Sequence, residues 1–206
     1  MKLSIIIPTI GRETLDATLN SIRFSHVTVP IEVVLVNDGN HPAAFDLYLK
    51  YQRDLEINYL SLDTMHNDFG AHARNMAYRV ATGTHFAYMD DDDIYSLGGV
   101  ETIIADITAQ PTKLFLYKCL WFWTGLHVWS TKGDLSRNFQ PNKLLNLIGQ
   151  CFVHPHLKFK YGYWRPEWPH EIYFINETLL HHPPDSLIWR EDVIAHIRPT
   201  GKEGGY

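Results

Sequence analysis

Apolar residues run through the first half of the chain in short unbroken blocks rather than in alternation. LSIIIP at 3–8, IEVVLVND at 31–38 and HFAYM at 85–89 are such blocks, the pattern of parallel strands covered on both faces, and LEINYLSL at 55–62 reads as a further strand. Between them the period changes. Leu15, Leu19 and Ile22 recur at helical spacing within 13–24, and 42–52 reads as a helix with Pro42 near its start. GAHARNMAYRVAT at 70–82 is an alanine-rich helix stopped by Gly83, and a fourth helix over 97–109 ends before Pro111. This βαβαβαβ order predicts an α/β fold, an open and mostly parallel twisted sheet with helices on both faces. Ligands of such sheets gather outside the carboxyl ends of the strands. The polar clusters fall there: Pro8-Thr9, Asn37-Asp38-Gly39 and Asp90 to Asp93.

The second half is aromatic and less regular. KLFLYKCLWFWTGLHVWS at 113–130 reads as a hairpin turning at Thr124-Gly125, and LIGQCFV at 147–153 as a strand. Residues 154–169, rich in Pro, Trp, Tyr and His, read as an irregular loop, and HEIYFINETLLHH at 170–182 as a helix. DSLIW and DVIAHI follow as two short strands, and PTGKEGGY as a mobile tail. No repeat or linker divides the chain. The expectation is one domain over 1–206, a ligand-binding half at 1–95 and a smaller aromatic-rich lobe at 96–206.

Composition narrows the function. With 45% hydrophobic and 20% charged residues in 206 the chain can build a core. A formal net charge of −5 and the lack of any Lys/Arg run exclude a nucleic-acid binder that relies on phosphate neutralisation. Two cysteines, Cys119 and Cys151, are too few for a disulfide framework and read as reduced core residues of a cytoplasmic protein. The apolar run at the start, broken by Pro8, is too short for a signal peptide, and no stretch is long enough to span a membrane. Any membrane contact would be peripheral. The chemistry concentrates in FAYMDDDDIY at 86–95, where four adjacent carboxylates close a strand. One or two acids suffice to cap a following helix; four supply hard oxygen ligands for a divalent cation.

SIIIPTIGR…LDATLNSI, VVLVNDGN, GAHARNMAYRVATGTHFAYMDDDD and HEIYFI together resemble the successive motifs of family-2 glycosyltransferases of the GT-A fold. The likeness covers the first 95 residues in order and continues more loosely to about 182. It departs from the family pattern at Asn37, at Ala77 and at His170-Glu171, where an acidic pair is usual. It implies a Rossmann-like GT-A domain with an acceptor lobe. The implied activity is metal-dependent transfer of a sugar from a nucleoside diphosphate donor, UDP-linked, to a hydroxyl on a glycan or small acceptor, with inversion. Mn²⁺ or Mg²⁺ is the implied cofactor, since oxygen ligands suit both.

The resemblance also assigns residues. Asp92 is the metal ligand, Asp91 lies near the donor ribose, and Asp90 opens the Asp-x-Asp motif under another alignment. Pro8 and Thr9 wall the base, and Asp38, in a turn with Gly39, accepts from the imide N–H of uracil or the equivalent edge of another base. Near Gly70, Arg74 and Asn75 are placed so that the guanidinium reaches a phosphate or holds the aspartates. Glu171 matches the place of the base that deprotonates the acceptor, with Asp192 in WREDVI as the runner-up. His196 is a further candidate for the metal or diphosphate, and Trp164 and Trp168, near Glu171 in sequence, for stacking on an acceptor sugar. Two alternatives stay open: a nucleotide- or glycan-binding module without turnover, and a sugar nucleotidyltransferase. The latter expects a glycine-rich basic loop that PTIGRETL does not supply.

Overall fold

The structure is a computed structural model that describes residues 1–121, 127–128, 148–156, 162–167 and 170–197. Its first half follows the periodicity. Strands β1 (Leu3–Thr9), β2 (Ile31–Asp38), β3 (Glu56–Leu62) and β4 (His85–Tyr88) alternate with helices α1 (Leu15–Arg23), α2 (Pro42–Tyr51) and α3 (Ala71–Val80). They lie in the order β3-β2-β1-β4, all parallel. The order reverses at β1. Right-handed crossovers therefore place α1 and α2 on one face and α3 on the other, and open a crevice at the carboxyl ends. Every residue of β1 is buried, as a strand covered on both sides requires. Ala71, Ala73 and Ala77 give α3 a small-residue face buried against the sheet.

Beyond β4 the sheet turns mixed. β5 (Ile94–Tyr95), α4 (Gly99–Ala109), β6 (Leu114–Trp121), β7 (His127–Val128), β8 (Phe152–Pro155), α5 (His170–Leu180) and β9 (Leu187–Ile197) follow. The order continues β4-β8-β6-β9-β5, with β7 on the side of β6. β8 runs antiparallel to β4 and β6, whereas β9 is parallel to β6.

Three expectations change here. The strand read at 147–153 starts only at Phe152; Gly149–Cys151 is a 3₁₀ turn, and an apolar run alone does not distinguish the two. The two short final strands are one strand of 11 residues. Register shifts against β6 on either side of Lys118 mark a bulge near Arg190-Glu191-Asp192, and the bulge absorbs that polar interruption. The pair Ile94-Tyr95 is itself a strand, antiparallel to β9. The hairpin turn at Thr124-Gly125, Trp168 and the tail from 199 lie outside the described residues. Cys119 and Cys151 are free and buried, with their Sγ atoms 2.9 Å apart.

Candidate active site

β4 carries the chain to the carboxyl edge of the sheet, where Met89 N donates to Ile6 O and the four aspartates turn away, with Asp93 N donating to Asp90 O. Their side chains divide the work. Asp91 is buried against the end of β1: its carboxylate accepts from Thr9 Oγ1 (2.7 Å), Ile10 N (3.3 Å) and Arg12 Nη1 (2.8 Å). Arg12 also lies 3.4 Å from Asp92 Oδ2. Asp90 pairs with Arg74, whose other guanidinium nitrogen donates to Phe69 O at 2.6 Å. Asp93 accepts from Gln150 Nε2 at 2.8 Å, and its backbone carbonyl accepts from Thr18 Oγ1 at 2.7 Å. Carboxylate oxygens of Asp90, Asp92 and Asp93 come within 4.8 Å of one another. Burial, then the neighbouring Asp90 charge, pushes the Asp92 carboxyl up to about 7 against the pull of Arg12.

Beside this cluster lies an open cleft lined by Pro8, Thr9, Arg12, Asp38, Met65, Asn67, Gly70 and Asp91, among others. Two glycines permit its walls. Gly39 has φ +103, and a Cβ there would come 2.8 Å from Met65 Cβ. Gly70, at φ +74, would bring a Cβ 2.9 Å from Arg74 Nη1 and 3.0 Å from Pro8 Cβ. Asp38 is buried and accepts from His66 at both its backbone N–H and its ring.

α5 closes the other side. Glu171, in its first turn, is buried, and Gly149 N donates weakly to Oε1 at 3.4 Å. Burial, then the Asp90 charge, raises its carboxyl to about 7 against the pull of Arg74. His170 stacks on Phe69, and burial together with Arg74 lowers its ring to about 4, so it stays neutral.

The residues expected from sequence are thus sorted. Pro8, Thr9, Asp38, Gly39, Gly70, Arg74, Asp90, Asp91, Asp92 and Glu171 meet around one crevice. Four do not take the place expected of them. Asn75 spends its amide on the Trp164 backbone, donating to its carbonyl at 2.8 Å and accepting from its N–H at 3.1 Å. Trp164 has no exposed surface and cannot stack on an acceptor. It lies under the Arg74 guanidinium, 4.5 Å from the ring centroid, and stacks on Phe174 at 4.3 Å. Asp192 is an exposed partner of Arg190 in the β9 bulge, 3.1 Å away. His196 sits opposite Ile94 in β9 and is not among the groups that converge as a metal site. Arg12, His66, Asp68 and Gln150 are additions. Arg12 stood within the PTIGR motif; the other three carried no local signal.

Residues 4–162 match the family model of glycosyl transferase family 2. The chain belongs to that family. A curated relative from Rickettsia bellii (strain RML369-C), an uncharacterized glycosyltransferase, is 29% identical over 96 residues, which is 46% of this chain and 13% of that protein. Among solved structures, S. aureus TarS superposes with a TM-score of 0.80 at 20% identity, over 97% of this chain and 37% of TarS. TarS 1–349 in complex with UDP-GlcNAc gives 0.81 at 18% identity, over all of this chain and 62% of that one. The mannosyltransferase PcManGT from Pyrobaculum calidifontis, in complex with GDP-Man and Mn²⁺, gives 0.67 at 16% identity, over 99% and 58%. The chain therefore spans only part of the proteins it matches, and the shared fold is GT-A.

In this family-2 chain the donor set fits a hard divalent cation. Three carboxylates converge, every group they offer is an oxygen donor, and burial together with the Asp90 charge raises the Asp92 carboxyl to about 7, a cost that a bound cation would relieve. Asp91, by contrast, is already bonded to Thr9, Ile10 and Arg12.

Proposed function

We propose that this chain catalyses metal-dependent transfer of a sugar from a nucleoside diphosphate, uridine-linked, to an acceptor hydroxyl with inversion. The observation that carries the reading is the placement of a buried carboxyl, Glu171, across from the aspartate cluster, with Arg74 beside both. Asp90, Asp92 and Asp93 would hold Mn²⁺ or Mg²⁺, Asp92 foremost. When bound, the cation offsets charge on the departing diphosphate as a Lewis acid. The chain's own groups do the rest. Pro8 and Asp38 line the cleft for the base, and Asp91 faces the ribose from its anchored position. Arg12 and Arg74 are guanidiniums within reach of a diphosphate that pairs with the cluster. Glu171 takes the acceptor proton. A base with a pKa near 7 combines a useful deprotonated fraction with real basicity. His170, neutral and stacked, is not a second acid, so the departure from the family's acidic pair leaves one base rather than none. That weighs against a binding module without turnover. A cytoplasmic location remains part of this reading; among the described residues no helix is long and apolar enough to cross a membrane.

Asp92→Asn and Glu171→Gln test the roles. Both should reduce transfer by at least about a hundredfold. Glu171→Gln should leave nucleotide affinity in Mn²⁺ within about twofold, whereas Asp92→Asn should lose the metal dependence of that affinity. Unchanged turnover in both variants would refute the mechanism.

A further inference from the structure

Asp38 receives more than a free base-reading carboxylate would. His66 Nδ1 lies 2.7 Å from Oδ1, and the His66 backbone N–H is shared between Oδ1 (3.3 Å) and Oδ2 (3.2 Å). A carboxylate at neutral pH only accepts, so the ring proton sits on Nδ1. The histidine is held in place. Its ring stacks on His72 at 3.9 Å with 8° between planes. The next residue, Asn67, and Phe69 both adopt left-handed backbone at φ 52 and 57, a costly geometry for a phenylalanine. Asp68 Oδ2 ties the same loop to α3 by accepting from His72 N at 2.8 Å.

The consequence is a count of acceptor sites. Oδ1 is taken by the ring N–H and half of the backbone N–H, while Oδ2 meets only the other half. One oxygen is left to accept from a ligand in the adjoining cleft. Uracil presents one imide N–H between two carbonyls. Guanine presents two adjacent donors, N1–H and the N2 amino group, which a carboxylate satisfies by using both oxygens. Cytosine and adenine would set a ring-nitrogen acceptor against the carboxylate. We infer that His66 is a specificity-determining residue: by occupying one oxygen of Asp38 it selects uracil over guanine in the donor. This rests on the nucleotide reading of the cleft given under Proposed function and adds to it which base is chosen and by what.

Calorimetric titration of UDP and of GDP, each with Mn²⁺, into the wild type and His66 variants tests it. The wild type should bind UDP at least about tenfold more tightly than GDP, and His66→Ala should shrink that ratio by about tenfold. His66→Asn, whose amide N–H can reach the same oxygen, should keep the preference. His66→Phe keeps a ring for His72 but removes the donor, and should behave as the alanine variant does even if alanine loosens the loop. A wild type that binds GDP as tightly as UDP overturns the inference. So does a ratio unchanged in His66→Ala and His66→Phe while both nucleotides still bind. If neither nucleotide binds the wild type, the donor-site reading itself fails and the inference falls with it.

Discussion

Arg12 stands between Asp91 and Asp92, its Nη1 2.8 Å from one and 3.4 Å from the other. It supplies from within the chain part of the positive charge that four adjacent carboxylates need. Arg12→Gln should therefore cost more than loss of an exposed pair and less than loss of a fully buried one, about 2 kcal/mol. Measured by chemical denaturation in EDTA, the loss should appear in full. Saturating Mn²⁺ should recover much of it, and no recovery would mean that the cluster holds no cation. The aspartates were legible because four in a row have no plain explanation at a strand end. Arg12 was not. Its meaning depends on a contact across 79 residues, made only once β1 and β4 lie side by side. Trp164 failed for the opposite reason: an aromatic in a Pro-rich segment reads as surface, yet Asn75 pins its backbone and draws it inside.

Among the elements, the parallel half of the sheet was legible because buried parallel strands leave continuous apolar runs. A buried charge in β2 interrupts that rule. Glu32 faces the interior of β2, in register with Ser4, and accepts from Ser4 Oγ, Thr82 N, Thr82 Oγ1 and Gly83 N. Burial pushes its carboxyl up, but the bonds from Ser4 and Thr82 and the Lys2 charge outweigh this, so the net direction is down from 4.5. The charged form is thus favoured by the fold. Its contribution is present above the ordinary glutamate value and fades as pH falls through and below it. Glu32→Gln should lose about 2 kcal/mol at pH 7. In urea titrations at a series of pH values the gap to wild type should narrow below about 4.5. The elements of the second half were less legible since their partners are distant. β9 is continuous only because β6 supplies a ladder for it, and Gly149–Cys151 turns where Gln150 reaches Asp93.

Across the whole molecule the two halves share a buried chain of polar groups. Trp164 Nε1 donates to Tyr78 Oη at 2.7 Å, Tyr78 and Tyr88 hydroxyls are 2.6 Å apart, and Tyr88 Oη is 2.6 Å from His154 Nε2. His154 Nδ1 donates to Pro155 O at 2.9 Å, so Nε2 of the neutral ring accepts from Tyr88. Burial, above all, lowers this histidine to about 3. A base whose pKa is lowered by folding adds stability above its unfolded value near 6.5 and loses it as pH falls. His154→Gln should flatten the stability curve between pH 7 and 5. The difference from wild type should change by at most about 1.4 kcal/mol per pH unit, read from denaturation in EDTA. Taking the difference removes the opposite slope of Asp92 and Glu171, whose raised values favour the protonated acids. At this scale, too, β9 has a consequence in time. β5, the two residues directly after the aspartates, pairs only with β9 among the described strands, and Ser96 is held by Val193 and Ile194 of the same strand. Contacts so far apart in sequence form slowly. β1 to β4, and the bonds that Thr9, Arg12, Thr18 and Arg74 make to the aspartates, need nothing beyond residue 95, but β5 gains its strand partner only once β9, which ends at Ile197, has emerged. The strand that leads out of the acidic turn is therefore among the last pieces to be fixed as the protein is made.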